Sequence, residues 1–97
     1  MDLQLKDKVV IVTGGAKGIG AAIVRAFAAE GAIPIIVDRD GEAGGHLKTE
    51  LKARGDSCEL VSVDLSTAQN CSKSVEQTVT NFGRIDALVN NAGRNDK

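Results

Sequence analysis

The sequence predicts an α/β protein. The expected fold is a doubly wound parallel sheet of strand order 3-2-1-4, with helices on both faces in a three-layer α/β/α arrangement. Three observations carry that expectation. Four short runs rich in Val, Ile and Leu, at residues 8–13, 33–37, 58–63 and 85–89, read as apolar on both faces, as strands do when helices cover both sides of a sheet. Stretches with helical spacing separate them, so the order is β-α-β-α-β-α-β, which a parallel sheet with right-handed crossovers satisfies. The two most unusual loops follow the first and fourth runs, and in this strand order those ends flank the crevice where doubly wound sheets bind ligands.

Residues 1–7 form a polar lead-in to the first strand. After the glycine-rich turn, Ile19, Ala22, Ile23, Ala26 and Phe27 recur at i, i+3, i+4 spacing, the stripe of a helix packed on a sheet. That helix is expected to run to about Glu30 and to stop at Gly31. Pro34, near the start of the second strand, indicates that the early backbone there is not fully paired. A polar helix follows over residues 42–54, with Leu47 and Leu51 as a thin apolar stripe and Gly55 as its stop. The third strand ends at Asp64. Ser66-Thr67-Ala68-Gln69 then has the form of a capping box. Cys71, Val75, Thr78, Val79 and Phe82 supply the face of a third helix, closed by Gly83. The fourth strand leads into Asn90-Asn91-Ala92-Gly93 and the polar residues 94–97. No repeat, low-complexity tract or linker interrupts the chain, so residues 1–97 are expected to form one domain.

Composition narrows the function classes. A content of 42% apolar and 26% charged residues indicates a soluble globular protein, not a disordered one. A net charge of −1 gives no electrostatic reason to expect nucleic acid or an anionic membrane as partner. No signal-peptide pattern or bilayer-length apolar run is present, which makes the cytoplasm the default expectation. Cys58 and Cys71 stand thirteen residues apart, outside any metal-ligand spacing, and read as free thiols.

The chemistry is concentrated in the loops. A strand that turns directly into a helix leaves the first helical N–H groups aimed at the turn, which makes a site suited to a phosphate. Gly14, Gly18 and Gly20 allow a tight turn, approach of a pyrophosphate and close helix packing. The spacing Gly-x-x-x-Gly-x-Gly is neither Gly-x-Gly-x-x-Gly nor a P-loop, and a tight βα turn needs glycine for steric reasons alone. Asp38 lies about 20 residues after that turn, where a dinucleotide site places an acid that accepts from ribose hydroxyls. Asp40 reads as a solvated loop carboxylate. Asp64 either accepts from an adenine amino group or caps the coming turn. Lys17 is a solvated turn lysine or a positive charge near the phosphates, and Arg39 is a second cation beside Asp38. Asn90 and Asn91 fit a turn, and as a pair after an apolar strand they also fit a backbone clamp at a ligand edge. His46, the only histidine, falls on the polar second helix and reads as surface.

Together, Thr13-Gly14-Gly15-Ala16-Lys17-Gly18-Ile19-Gly20, Asp38, Asp64-Leu65 and Asn90-Asn91-Ala92-Gly93 closely resemble the classical short-chain dehydrogenase/reductase family, over essentially the whole chain. The resemblance implies a Rossmann-type fold and nicotinamide-dependent hydride transfer to or from a small-molecule alcohol or carbonyl. It also implies that Gly14, Gly18, Ile19 and Gly20 hold the pyrophosphate and that Asp38 binds the ribose. Asp64 and Leu65 would lie at the adenine, with Asn90, Ala92 and Gly93 along the adenosine side. Met1-Asp2-Leu3, Ala32-Ile33-Pro34 and Asn95-Asp96 more loosely resemble the L-fucose dehydrogenase branch, which oxidises sugars. Arg94 departs from the apolar residue expected there.

One part of the family pattern is missing. Its proton chemistry uses a Ser and a Tyr-x-x-x-Lys pair, and these 97 residues contain no tyrosine. No catalytic or metal-ligating residue is therefore assigned. The expectation is the cofactor-binding N-terminal half of such an enzyme, a homo-oligomer at full length, with the 97 residues inactive alone. NAD is favoured over NADP, because Asp38 repels a 2′-phosphate while Lys17 and Arg39 attract one. The alternative from another class is a catalytically silent nucleotide-binding or interaction module. A methyltransferase with an acid after its second strand is disfavoured by the Asn-Asn-Ala-Gly motif.

Overall fold

The most apolar run of the chain occupies the middle of the sheet. In the computed structural model, which describes residues 4–63 and 68–91, β1 (Val9–Thr13) lies between β2 (Ile33–Asp38) and β4 (Ala87–Asn90). β3 (Glu59–Ser62) flanks β2, giving the order β3-β2-β1-β4 with every pairing parallel. The connections are α1 (Gly18–Ala29), α2 (Gly41–Ala53) and α3 (Ala68–Phe82). The expected α/β fold and strand order are those observed. No helix among the described residues is long and apolar enough to cross a membrane.

Alternation along the strands divides the core into two layers. Val10, Val12 and Ile36 point to one side and pack with Val24 of α1 and Leu47 and Leu51 of α2. Val9, Ile11, Ile35, Val37 and Val61 point to the other, where Phe82 of α3 and Ile85 cover them. Complete burial of a side chain such as Ile36 stabilises the fold by roughly 1.5–3 kcal/mol. Pro34 fits because of where its missing N–H falls. Ile33 donates its N–H to Lys8 on the β1 side, so the next nitrogen faces β3, whose pairing begins only at Ile35.

Several boundaries and faces differ from expectation. β3 pairs only over Glu59–Ser62. Cys58 precedes it, buried, with its thiol 3.8 Å from the Lys48 carbonyl and its pKa pushed up by burial. The sheet-facing side of α3 is carried by Ser74 and Thr78, both buried, whereas Val75 and Val79 are 41% and 46% exposed. Burial of Thr78 is tolerated because its hydroxyl donates to the Ser74 carbonyl one turn back, at 2.9 Å. Ser66 and Thr67 of the expected capping box, and the side chain of Cys71, lie outside the described residues. His46 is exposed on α2, as expected.

The fourth strand starts two residues later than the apolar run suggests, because Asp86 replaces ladder pairing at the lower end of β1. Its N–H donates to the Val9 carbonyl at 2.9 Å, and its Oδ2 accepts from the Val9 N–H at 2.8 Å. Arg84 forks onto the same carboxylate at 2.9 and 2.7 Å. That guanidinium, and secondarily the Val9 N–H, hold Asp86 below the ordinary aspartate pKa. Glu50, paired with Arg25, and Glu59, paired with Lys48, are lowered in the same sense.

A folded-state pKa below the unfolded value contributes stability that is complete above the unfolded value and lost as pH falls through the folded one. The melting temperature is therefore expected to fall as the buffer is taken below about pH 4, the unperturbed aspartate range. Asp86→Asn keeps an acceptor for Val9 but cannot titrate, so it should flatten that fall. Melting curves from pH 7 to pH 2.5 check this, and an unchanged acid slope in the variant would contradict it.

Candidate functional site

The upper ends of β1, β2 and β4 converge, and the site is built on them. β1 ends at Thr13, and Gly14 turns away at φ +65° while donating its N–H to the Val37 carbonyl at 2.7 Å. The turn is thus fastened to β2 at its first residue. Lys17, the N-cap of α1, has extended backbone and gives no side-chain cap, and the first turn of α1 carries no acid. The positive end of the helix is accordingly left without a carboxylate of its own, the condition under which it receives an external anion.

The glycines serve different purposes. Gly18 stands at φ +57°, with no atom within 4 Å of where a Cβ would lie. Its need is conformational, and the space beside it is open. Gly20 is the opposite case. A Cβ there would fall on the Gly14 carbonyl oxygen and stand 2.7 Å from Asn91 Nδ2. Between them Ile19 projects outward, 75% exposed at the mouth of the turn.

Asp38, at the end of β2, accepts from two backbone donors. Oδ2 takes the Ala16 N–H of the glycine turn at 3.1 Å, and Oδ1 takes the Asp40 N–H at 2.9 Å. The carboxylate therefore holds the two loops together, and a carboxylate's four lone-pair directions leave capacity for further donors. Asp40 corrects the expectation of a solvated loop acid. Its Oδ1 caps α2 by accepting from the Ala43 N–H at 2.9 Å, and its Oδ2 pairs with Lys17 Nζ at 3.2 Å. The Ala43 hydrogen bond, then Lys17, hold its pKa below the ordinary value. Lys17 is thus engaged across the turn. Arg39 is exposed and makes no ion pair among the described residues.

The asparagines act from β4. The Thr13 hydroxyl lies 3.1 Å from Asn90 Oδ1 and 3.3 Å from the Val89 carbonyl, and it accepts from the Asn91 N–H at 3.0 Å. Asn91 Nδ2 donates to the Gly14 carbonyl at 3.2 Å. Asn91 therefore clamps the same oxygen that Gly20 packs against. Asp64, Leu65, Ala92 and Gly93 lie outside the described residues, as do Met1-Asp2-Leu3, Arg94 and Asn95-Asp96. Among the described residues no group of His, Cys, Asp and Glu could hold a metal ion. What remains is the α1 N-terminus without a side-chain cap, with the Asp38 carboxylate bonded to the turn beside it.

Known proteins resemble this chain in sequence and fold. The family profile described as short chain dehydrogenase matches residues 8–97. General stress protein 39 of Bacillus subtilis (strain 168) is 41% identical over 91 residues, covering 93% of this chain and 32% of that protein. L-fucose dehydrogenase of Bos taurus is 41% identical over 93 residues, covering 96% of this chain and 33% of that one. The crystal structure of L-sorbose reductase from Gluconobacter frateurii, complexed with NADPH and L-sorbose, superposes with a TM-score of 0.92 at 37% identity. That superposition covers 99% of this chain and 37% of the reductase. The chain spans about a third of the length of the curated relatives it matches.

The two glycines should respond differently to the same substitution. Gly18→Ala meets no atom and is opposed only by its positive φ, at about 1–2 kcal/mol. Gly20→Ala must displace the Gly14 backbone and is expected to be the more destabilising of the two. Denaturant midpoints of the two variants read this directly, and equal losses would contradict the assignment.

Proposed function

Because this chain belongs to the short chain dehydrogenase family, we propose that it is the N-terminal, cofactor-binding portion of an oxidoreductase that moves a hydride between a nicotinamide dinucleotide and the alcohol or carbonyl group of a small molecule. The observation that carries the reading is Asp38 hydrogen-bonded to the Ala16 N–H, which sets a ribose acceptor beside an uncapped helix N-terminus. The donor set suits a dinucleotide: backbone N–H groups for the pyrophosphate, and a carboxylate with spare lone pairs for vicinal hydroxyls.

Gly14, Gly18, Ile19 and Gly20 are assigned to the pyrophosphate and Asp38 to the adenosine ribose. Asp64 and Leu65 are assigned to the adenine, and Asn90, Ala92 and Gly93 to the adenosine side. When bound, the dinucleotide supplies the hydride chemistry, and these residues bind and orient it. NAD is the proposed cofactor, since the Asp38 carboxylate accepts from ribose hydroxyls and repels a 2′-phosphate. The L-sorbose reductase structure is a complex with NADPH, and the proposed preference for NAD rests on the Asp38 carboxylate of this chain. A sugar or related polyol is the proposed substrate class, supported by the names of the L-fucose and L-sorbose enzymes. The full-length form is proposed to be a homo-oligomer.

Hydride transfer also requires a proton to move to or from the substrate oxygen, and general acid–base assistance contributes about 10²–10⁴-fold. The 97 residues include no tyrosine. Lys17 is paired with Asp40, His46 sits on the outer surface of α2, and Asp38 is committed to the adenosine end.

Fluorescence titration of NADH and NADPH against the chain and against Asp38→Ala tests the cofactor. The unmodified chain is expected to bind NADH more tightly, and Asp38→Ala should narrow the difference. Tighter NADPH binding by the unmodified chain would overturn the NAD preference. Absorbance at the reduced nicotinamide band, with a panel of sugars and secondary alcohols, is expected to show no turnover by the 97 residues alone. Turnover that disappears with Gly18→Val would place proton-transfer chemistry inside them and refute that part of the reading.

A further inference from the structure

We infer that Asp40 is a positioning residue for cofactor selection: its carboxylate engages the Lys17 ammonium, withholds that charge from a 2′-phosphate, and so disfavours a 2′-phosphorylated dinucleotide. The inference rests on the reading of Asp38 as the ribose acceptor. Three contacts tie the corner together. Ala16 N–H donates to Asp38 Oδ2, Asp40 N–H donates to Asp38 Oδ1, and Lys17 Nζ lies 3.2 Å from Asp40 Oδ2. With the ribose on Asp38, a group in place of its 2′-hydroxyl would adjoin the hydrogen-bonded cluster that includes Lys17 and Asp40.

Asp40 is fixed and Lys17 is not. The second oxygen of Asp40 caps α2 through the Ala43 N–H at 2.9 Å, so the carboxylate cannot swing away without uncapping a helix. Lys17 is an exposed side chain on a long flexible stem, and an exposed ion pair of this kind is weak and screened by salt. A 2′-phosphate has to compete with Asp40 for that ammonium while being repelled by Asp40 and Asp38 together. Both effects act in the same direction. Arg39, exposed and without an ion pair among the described residues, is the other cation at this corner and must be separated from Lys17 in any test.

Asp40→Asn is the informative variant, because asparagine caps helices about as well as aspartate and only the charge is lost. The probes are 5′-AMP and 2′,5′-ADP, followed by backbone NMR shifts of residues 14–18 and 38–40 at low and high salt. The ratio of 2′,5′-ADP to 5′-AMP affinity is expected to rise about two- to fivefold in Asp40→Asn, the range for one exposed charge pair. Lys17→Met in the Asp40→Asn background should remove most of that rise. In the unliganded chain, Lys17→Met should move the Asp40 carboxyl titration upward.

A ratio that does not move in Asp40→Asn while both probes still bind overturns the role of Asp40 and leaves the ribose reading standing. A rise that survives Lys17→Met overturns it too, by assigning the effect to Arg39 or to repulsion alone. If neither probe perturbs the corner in any variant, the ribose reading fails and this inference fails with it.

Discussion

The approach of Gly20 to the Gly14 carbonyl is the contact on which the rest of the site depends. No side chain fits between them, so α1 can lie against the turn only with glycine at position 20. The consequence reaches both neighbouring strands. Gly14 presents its N–H to Val37 of β2 and its carbonyl to Asn91 beyond β4. One peptide pair therefore registers three strands and a helix at their common end. Burial of Val10, Val12 and Ile36 makes the sheet stable, but hydrophobic packing is non-directional and would tolerate small displacements of α1. The glycine contact and the Asn91 clamp remove that freedom.

The electrostatics of the site follow from the same economy of groups. The α1 N-terminus has no acid in its first turn, whereas α2 has Asp40 at its N-cap and Glu42 one residue into the helix. α1 and α2, like α3, begin at the same edge of the parallel sheet, and of α1 and α2 only the second carries carboxylates at its start. Asp38 stands between them, engaged with a backbone donor from each loop.

Much of this was legible in the residues and some was not, for physical reasons. Strand order and helix positions follow from apolar runs and helical spacing, which long-range packing did not override. The position of the glycine turn is legible because Gly14 and Gly18 adopt positive φ and Gly20 admits no side chain. On α3, Thr78 and Phe82 lie on the core side as their spacing predicts, whereas Val75 and Val79 do not. Ser74 is buried in place of the neighbouring Val75, and its carbonyl accepts from the Thr78 hydroxyl one turn on. Asp40 and Asp86 were missed for a different reason. Each gains its role from a partner chosen in three dimensions: Lys17 across a turn for one, Val9 across the sheet for the other. The Asp40–Ala43 cap has a local signal, an aspartate three residues before the bonded N–H.

The placement of these groups also limits what they can do on the proposed reading. Contacts to the adenosine diphosphate end of a dinucleotide are the same before, during and after hydride transfer, because charge redistributes at the nicotinamide and the substrate oxygen. Interactions equal in ground and transition states tighten binding without lowering the chemical barrier. Their catalytic value is indirect. By fixing one end of a long flexible molecule against a rigid sheet edge, they reduce the freedom the reactive ring must lose when it meets the substrate, a contribution that reaches several kcal/mol in well-oriented systems. That value depends on rigidity, and here rigidity comes from the Gly14 peptide, the Asn91 amide and the Asp38 carboxylate acting on one turn. A substitution that loosened the turn without touching the cofactor would thus weaken binding and misalign the distant ring together, whereas loss of a single phosphate contact would affect binding alone.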